Sequence, residues 1–90
     1  MDEDERHIRD ELMMLDALLR AMDRRDAVFQ MIEDSEDEDE ARRRVGQLLG
    51  VGDLGSRVVL DMQVRRLTRD QRQRLASRAA ELRSMLPEGR

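Results

Sequence analysis

This 90-residue sequence has no cysteine, tryptophan, tyrosine or lysine. Without cysteine there is neither a disulfide framework nor a thiolate metal site, which fits a cytoplasmic protein. No apolar run approaches the roughly 20 residues of a membrane-spanning helix, and the acidic N-terminus is unlike a secretory signal peptide. Valine and isoleucine are few and show no alternating pattern, so a β-sheet is not expected. We therefore expect neither a cofactor nor a membrane partner.

Charged residues make up 42% of the sequence and hydrophobic residues 39%, which is typical of a single helical or coiled-coil domain. Residues 1–40 hold sixteen acids and five arginines, whereas residues 41–90 hold twelve arginines and five acids. A basic half can indicate a phosphate-bearing partner. We favour an antiparallel hairpin whose two halves neutralise each other, because Phe29 is the single aromatic side chain on which a base could stack. Direct nucleic-acid binding is therefore not expected.

Apolar spacing predicts one long helix over residues 4–33. Its stripe steps by four and three residues, the heptad spacing of a coiled coil, with Asp26 as an interruption. Thirty helical residues extend about 45 Å, which predicts an elongated molecule. The stripe consists of Ile8, Leu12, Leu15, Leu19, Met22 and Phe29.

An acidic run at residues 33–40 predicts a break after this helix. Such a run can also be a disordered tail or a binding tract, but acids in the first turn of a helix complement its dipole. Ser35 and Glu38 have the spacing of a capping box, which predicts a second helix over residues 36–49. Gly50 suits the end of that helix, where a left-handed conformation is needed.

The third predicted helix covers residues 53–67, with Asp53 as its N-cap, and has two apolar sides. One side would face its own subunit, and the simplest partner for the other is a second copy of the chain. The alternative is a helix sandwiched inside a monomer, but the rest of the chain is thin for that purpose. One side holds Leu54, Val58 and Met62, and the other holds Leu60, Val64 and Leu67. The candidate dimer interface consists of Leu60, Met62, Gln63, Val64 and Leu67.

A fourth helix is predicted over residues 69–86, because Thr68 and Gln71 again have capping-box spacing. Its apolar residues form a narrow seam that matches the heptads of the first helix. We therefore predict an all-α fold: a long antiparallel coiled-coil hairpin, with residues 4–33 descending and 69–86 ascending, capped by a small helical knob at 36–67. The knob would form the homodimer. The predicted coiled-coil seam consists of Ile8, Leu12, Leu15, Leu19, Leu75, Ala79, Leu82 and Leu86.

The sequence resembles the bacterial family of the DNA gyrase A subunit and the related topoisomerase IV subunit. The resemblance is clearest at residues 59–67, which read Val-Leu-Asp-Met-Gln-Val-Arg-Arg-Leu where the family has Ile-Leu-Asp-Met-Gln-Leu-Arg-Arg-Leu. Residues between 7 and 28 are similar to the family's descending coiled-coil helix, and residues 40–42 to the short helix after it. Residues 66–68 lead, as in the family, into the ascending helix. The resemblance covers roughly residues 6–86.

This resemblance implies that the chain corresponds to the tip of a long antiparallel coiled coil. In the family, the globular knob at that tip is the primary dimer interface, also called the exit gate or C-gate. The resemblance therefore implies a homodimer through residues 58–67, in agreement with the two apolar sides of the third helix. By the same interface similarity, the A subunit of DNA gyrase is a second candidate partner.

The chain also departs from the family. The family's catalytic tyrosine lies in a separate domain, and this chain has no tyrosine. It shows no DNA gate, DNA-wrapping domain or ATP-binding loop, so we expect no catalysis from this chain alone. Its acidic start and its Pro-Gly stop favour a free-standing protein. Gly52 and Gly55 stand where the family usually has bulkier residues, which predicts a looser knob.

Two other interpretations stay open. The second and third helices could form the helix-turn-helix of a small DNA-binding regulator, or the chain could be a piece of an ATP-dependent type IIA DNA topoisomerase. Asp61, between two apolar sides, is expected to pair with Arg65. His7, beside two glutamates, is expected in an exposed polar turn and not in a metal site. In the helix-turn-helix interpretation, the arginines that would contact DNA phosphates are Arg57, Arg65, Arg66, Arg69 and Arg72.

Overall fold

Five α-helices make up the part of the chain that the computed structural model describes, residues 3–62 and 67–87. No strand occurs within these two ranges, so the predicted all-α class is confirmed. The helices form a compact body with principal extents of 41 × 29 × 19 Å. They are α1 (Glu3–Asp23), α2 (Arg25–Glu33), α3 (Glu38–Leu49), α4 (Asp53–Leu60) and α5 (Arg69–Ser84).

Two helices, α1 and α2, take the place of the single helix expected over residues 4–33. The interruption is at Arg24, whose backbone leaves the helical conformation with φ −127° and ψ 35°. α2 then packs against α3, and its Val28 enters the core. Tertiary packing of α2 therefore outweighs the local tendency to continue the helix, and the expected straight rod of about 45 Å does not form.

Two arginine side chains beside the interruption bind the end of α3. Arg20 Nη1 donates a hydrogen bond to the carbonyl oxygen of Leu49 at 3.1 Å, and Arg24 Nη1 donates one to that of Leu48 at 3.0 Å. The last carbonyls of a helix lack intrahelical partners and carry the negative end of its dipole. The two guanidinium groups therefore supply hydrogen bonds to the last carbonyl groups of α3 and fix this helix against the end of α1.

α3 begins two residues later than expected, because Asp37 and not Ser35 is its N-cap. Asp37 Oδ1 accepts a hydrogen bond from the backbone N–H of Glu40 at 2.9 Å, and Glu40 Oε1 accepts one from the N–H of Glu36 at 2.7 Å. The Ser35 hydroxyl instead donates back to a carbonyl oxygen of α2. At the other end, the left-handed conformation predicted for Gly50 is confirmed, with φ 68° and ψ 34°.

α4 is shorter than the predicted third helix. It ends at Leu60 instead of seven residues further on, and residues 63–66 lie outside the described part of the chain. Its N-cap is Gly52, so the N-cap role predicted for Asp53 is wrong. Asp53 instead lies in the first turn, where it pairs with Arg42 of α3 at 3.0 Å and holds the two helices together.

A glycine brings α4 close to α1. A Cβ atom on Gly55 would lie 2.9 Å from the Cβ of Val51 and 3.3 Å from the Cβ of Ala17, and the first of these distances is shorter than real Cβ contacts. A residue without a side chain therefore lets these segments touch. Gly55 is buried, so this position makes the contact tighter and not looser as we had expected.

α5 begins where it was predicted to begin. Thr68 is its N-cap, and its hydroxyl oxygen accepts a hydrogen bond from the N–H of Gln71 at 3.2 Å. The start of α5 lies beside the end of α1, since Arg72 pairs with Asp23. Later arginines of α5 pair with acids nearer the start of α1, so α5 runs antiparallel to α1.

Candidate dimerisation surface

The helices of the predicted knob share one hydrophobic core with the second half of α1. Leu60 and Met62, two of the predicted interface residues, are half-buried and pack against this core. Part of each residue's surface therefore contacts the core, and part remains exposed to solvent. The buried members of the core are Ala17, Ala21, Val28, Val45, Leu49 and Val59.

The buried face of α4 differs from the predicted one. Gly55, Ser56 and Val59 point into the protein, whereas Leu54 is exposed. Neither predicted apolar side includes the buried residues 55, 56 and 59, whose small members at 55 and 56 permit a closer approach of the backbone. The apolar sides of this helix are thus rotated relative to the prediction.

The other three predicted interface residues follow α4 in the chain. Leu67 is half-buried and lies just before α5. Gln63 and Val64 lie outside the described residues, so their place in an interface stays a prediction. Of the five predicted interface residues, the structure therefore describes Leu60 and Met62 at the end of α4 and Leu67 before α5.

A cleft at the end of α4 shows how this region is arranged. Its lining includes Leu60 and Asp61 of the α4 end together with Glu38 and Arg42 of α3. The end of α4 therefore lies beside the start of α3. Asp61 is exposed and not buried, and Arg65, its expected partner, lies outside the described residues.

The predicted seam residues come together between α1 and α5. Leu12, Ala79 and Leu82 are buried as one cluster, and Leu82 is only 2% exposed. Ile8, Leu15, Leu19 and Leu86 pack against that cluster in half-buried positions. Leu75, the remaining predicted member, is half-buried but does not belong to the cluster.

Ion pairs between α1 and α5 flank this apolar cluster. Arg78 Nε bonds Glu11 Oε2 at 3.0 Å, and Arg83 Nη2 bonds Asp16 Oδ2 at 2.8 Å. The hydrogen bonds and positive charge of Arg78 lower the pKa of the Glu11 carboxyl, even though partial desolvation acts in the opposite direction. Acids from the acidic half of the chain, on α1, thus pair with arginines from the basic half, on α5.

We expect the substitution Glu11→Gln to reduce stability at neutral pH and to have a smaller effect in acid. A carboxyl whose pKa is lowered on folding contributes stability above its unfolded pKa, about 4.3 for glutamate, and this contribution is lost as the pH falls through the folded pKa. Urea unfolding at pH 7 and at about pH 3 measures the difference. Asp10→Asn is the matched control, since Asp10 is exposed and makes no ion pair within residues 3–62 and 67–87. An equal Glu11→Gln effect at both pH values would contradict the expectation.

Large apolar side chains are exposed at several places on the surface. Phe29 of α2 is 45% exposed and Leu54 of α4 is also 45% exposed. Ile32, one turn after Phe29, is 36% exposed. Met13 and Met85 are exposed near the other end of the α1–α5 pair. None of these five residues was among the predicted interface residues. The heptad pattern had assigned Phe29 to the buried stripe, whereas Phe29 is exposed.

The arginines of the DNA-binding interpretation are partly occupied. Arg57 pairs with Asp53 at 3.1 Å, and Arg72 pairs with Asp23. Arg69 is exposed, whereas Arg65 and Arg66 lie outside the described residues. An arginine that neutralises a neighbouring carboxylate attracts phosphate less, so this arrangement does not favour a phosphate-binding face.

The described ranges hold no group of three or more histidine, aspartate or glutamate side chains placed to bind a metal ion. His7 is exposed on α1. None of the five helices combines the length and apolar character required to cross a membrane, as far as the described residues extend.

Comparison with known proteins gives a partial similarity. No protein-family model matches the chain. The chain is 38% identical over 69 residues to the DNA gyrase A subunit of Mycobacterium leprae (strain TN). The match covers 77% of this chain and spans 5% of the length of that protein. A match of 69 residues within a chain of 90 starts no later than residue 22 and ends no earlier than residue 69. The matched stretch therefore includes α2, α3 and α4. Most of this chain is therefore similar to a short segment of the DNA gyrase A subunit.

Proposed function

We propose that this chain is a non-catalytic homodimerisation module that resembles the exit gate of the DNA gyrase A subunit. The similarity to a segment of that protein carries the proposal, because it includes α3 and α4, the two helices of the predicted knob, together with α2 before them. The fold supports it in two ways. α5 returns along α1 over an apolar cluster, and α2, α3 and α4 form a small body that packs against the second half of α1.

The proposed partner is a second copy of the chain. Leu60 and Met62 keep part of their surface outside the core, and Leu67 is half-buried nearby in the chain. Together with Gln63 and Val64, they form the proposed interface. A gyrase A subunit with the same kind of surface is the proposed second partner, and the cytoplasm is the proposed location. Catalysis is not part of the proposal, because no tyrosine is available to attack a DNA phosphate.

Light scattering across a dilution series tests the proposed dimer. We expect twice the chain mass of 10.6 kDa at high concentration and a fall toward the single mass on dilution. Leu60→Ser is expected to shift the series toward the monomer, because it removes apolar surface at the end of α4. Leu54→Ser is the matched control, since Leu54 lies on the same helix outside the proposed interface. Far-UV circular dichroism checks that both variants remain helical.

A monomer at every concentration would contradict the dimer. DNA relaxation or cleavage by the purified chain would contradict the absence of catalysis. Mixing with the A subunit of DNA gyrase tests the second partner, and a failure to co-purify at micromolar concentration counts against it. DNA binding whose affinity falls steeply with salt would favour the small DNA-binding regulator instead.

A further inference from the structure

The side of α2 that faces away from the core has a symmetric arrangement of charged and apolar residues. Val28 and Met31 face the core, whereas Phe29 and Ile32 are exposed large apolar side chains. Arg25 precedes Phe29 by four residues and Glu33 follows it by four, and both are exposed. We call Arg25, Phe29, Ile32 and Glu33 the outer face of α2.

The two charges on this face have no visible role within one subunit. Neither Arg25 nor Glu33 makes an ion pair or a side-chain hydrogen bond to any residue in the described ranges 3–62 and 67–87. Their order also opposes the helix dipole, which favours acids at the start of a helix and cations at its end. Arg25 is the first residue of α2, Glu33 is the last, and the last turn has no basic residue. Asp26 supplies an acid to the first turn of α2, but no basic residue offsets Glu33 in the last turn. A local rule that is broken without an internal compensation points to an external one.

A second α2 helix that packs antiparallel on the first supplies that compensation. If a twofold axis passes beside Phe29, the two phenyl rings meet at the axis. Arg25 of each copy then lies opposite Glu33 of the other, because both are about 6 Å from Phe29 along the helix. Both ion pairs form at once, since a twofold contact repeats each interaction. A partner with a uniformly acidic or uniformly basic surface would match only one of the two charges.

α2 and the end of α4 pack on the same hydrophobic core, since Val28 and Met31 belong to it together with Leu60 and Met62. The end of α4 lies beside Glu38, the first residue of α3, and α2 ends five residues earlier, at Glu33. A nine-residue helix is about 13 Å long and is too short to bury by itself the ~1,200 Å² of a stable interface. The contact therefore needs the neighbouring end of α4.

We infer that two copies of this chain associate through the outer face of α2, with the two α2 helices antiparallel, Phe29 on Phe29, and Arg25 paired with Glu33 of the other copy. This inference rests on the proposed homodimer and names a contact within it. It gives a reason for the exposure of the large apolar side chain of Phe29, which has no such reason in a monomer.

Charge exchange tests the inference by sedimentation velocity over a concentration series. Arg25→Glu places a new carboxylate against Glu33 of the other copy and is expected to raise the dimer dissociation constant at least about tenfold. Glu33→Arg is expected to do the same. The double variant R25E/E33R restores opposite charges and is expected to return the dissociation constant to near the wild-type value. Phe29→Ala is expected to weaken the dimer as well. Arg43→Glu, a charge reversal on an exposed residue of α3, is the matched control and should change little.

The outcomes separate the two proposals. A wild-type chain that is monomeric throughout overturns the homodimer and this contact together. A wild-type dimer that tolerates Arg25→Glu and Phe29→Ala overturns the α2 contact alone. Single charge variants that weaken the dimer without rescue by the double variant overturn the antiparallel pairing. Since all three positions are exposed, circular dichroism of each variant should show unchanged helix content.

Discussion

Replacing Gly55 by leucine is expected to lower the free energy of unfolding by about 3 kcal/mol, at the upper end of what overpacking a close contact costs. A Cβ at this position already lies 2.9 Å from the Cβ of Val51 and 3.3 Å from that of Ala17. Three further carbons must therefore push α4 away from α1. Urea unfolding followed by circular dichroism at 222 nm measures the loss.

The same site gives a graded series. Gly55→Ala gains about 1 kcal/mol in helix propensity, but its added methyl meets Val51, so we expect no net stabilisation. Gly52→Ser is the matched control, because no atom lies within 4 Å of a Cβ at Gly52 and serine is a good N-cap. If Gly55→Leu unfolded at the same urea concentration as the wild type, α4 would not be in contact with α1 at this point.

Replacing Leu82 by alanine is expected to cost about 3 kcal/mol of unfolding free energy, within the range for a buried leucine. Leu82 is 2% exposed and lies in the apolar cluster between α1 and α5 with Leu12 and Ala79. Removal of its side chain leaves a cavity that two packed helices can close only in part. α5 has few other buried anchors, so its docking on α1 should weaken most.

Leu75→Ala is the matched control for Leu82→Ala. Leu75 is a leucine of the same helix and of the same predicted heptad seam, but it is half-buried and outside the cluster. We expect its replacement to cost less than half as much as that of Leu82. Urea unfolding of the two variants in parallel makes the comparison, and equal losses would contradict the packing of α5 that the structure describes.

Short-range signals in the sequence predicted helix ends where one residue had a clear advantage. Thr68 starts α5 through its hydrogen bond to the N–H of Gln71, and Gly50 ends α3 in the left-handed conformation. Each of these needs only a few neighbouring residues. The start of α3 was missed by two positions, because Ser35 and Asp37 are both good N-caps and the choice between them depends on the contacts of α2 and α3.

Heptad spacing assigned eight residues to a coiled-coil seam, and seven of them meet in one cluster between α1 and α5 or pack against it. It failed for Phe29, which was assigned to the buried stripe but is exposed. The reason is the interruption at Arg24. Once α2 leaves the line of α1, the phase of the stripe no longer predicts which side of α2 is buried.

Periodicity and composition were sufficient for the all-α class and for the apolar cluster of α1 and α5, and the residue order was sufficient for the similarity to a segment of the DNA gyrase A subunit. The interruption at Arg24, the close approach at Gly55 and the exposure of Phe29 came from packing between segments far apart in the chain. Each of these depends on which surfaces meet in three dimensions. A pattern within one helix records that a side is apolar, but it does not record whether its own subunit or another molecule covers that side.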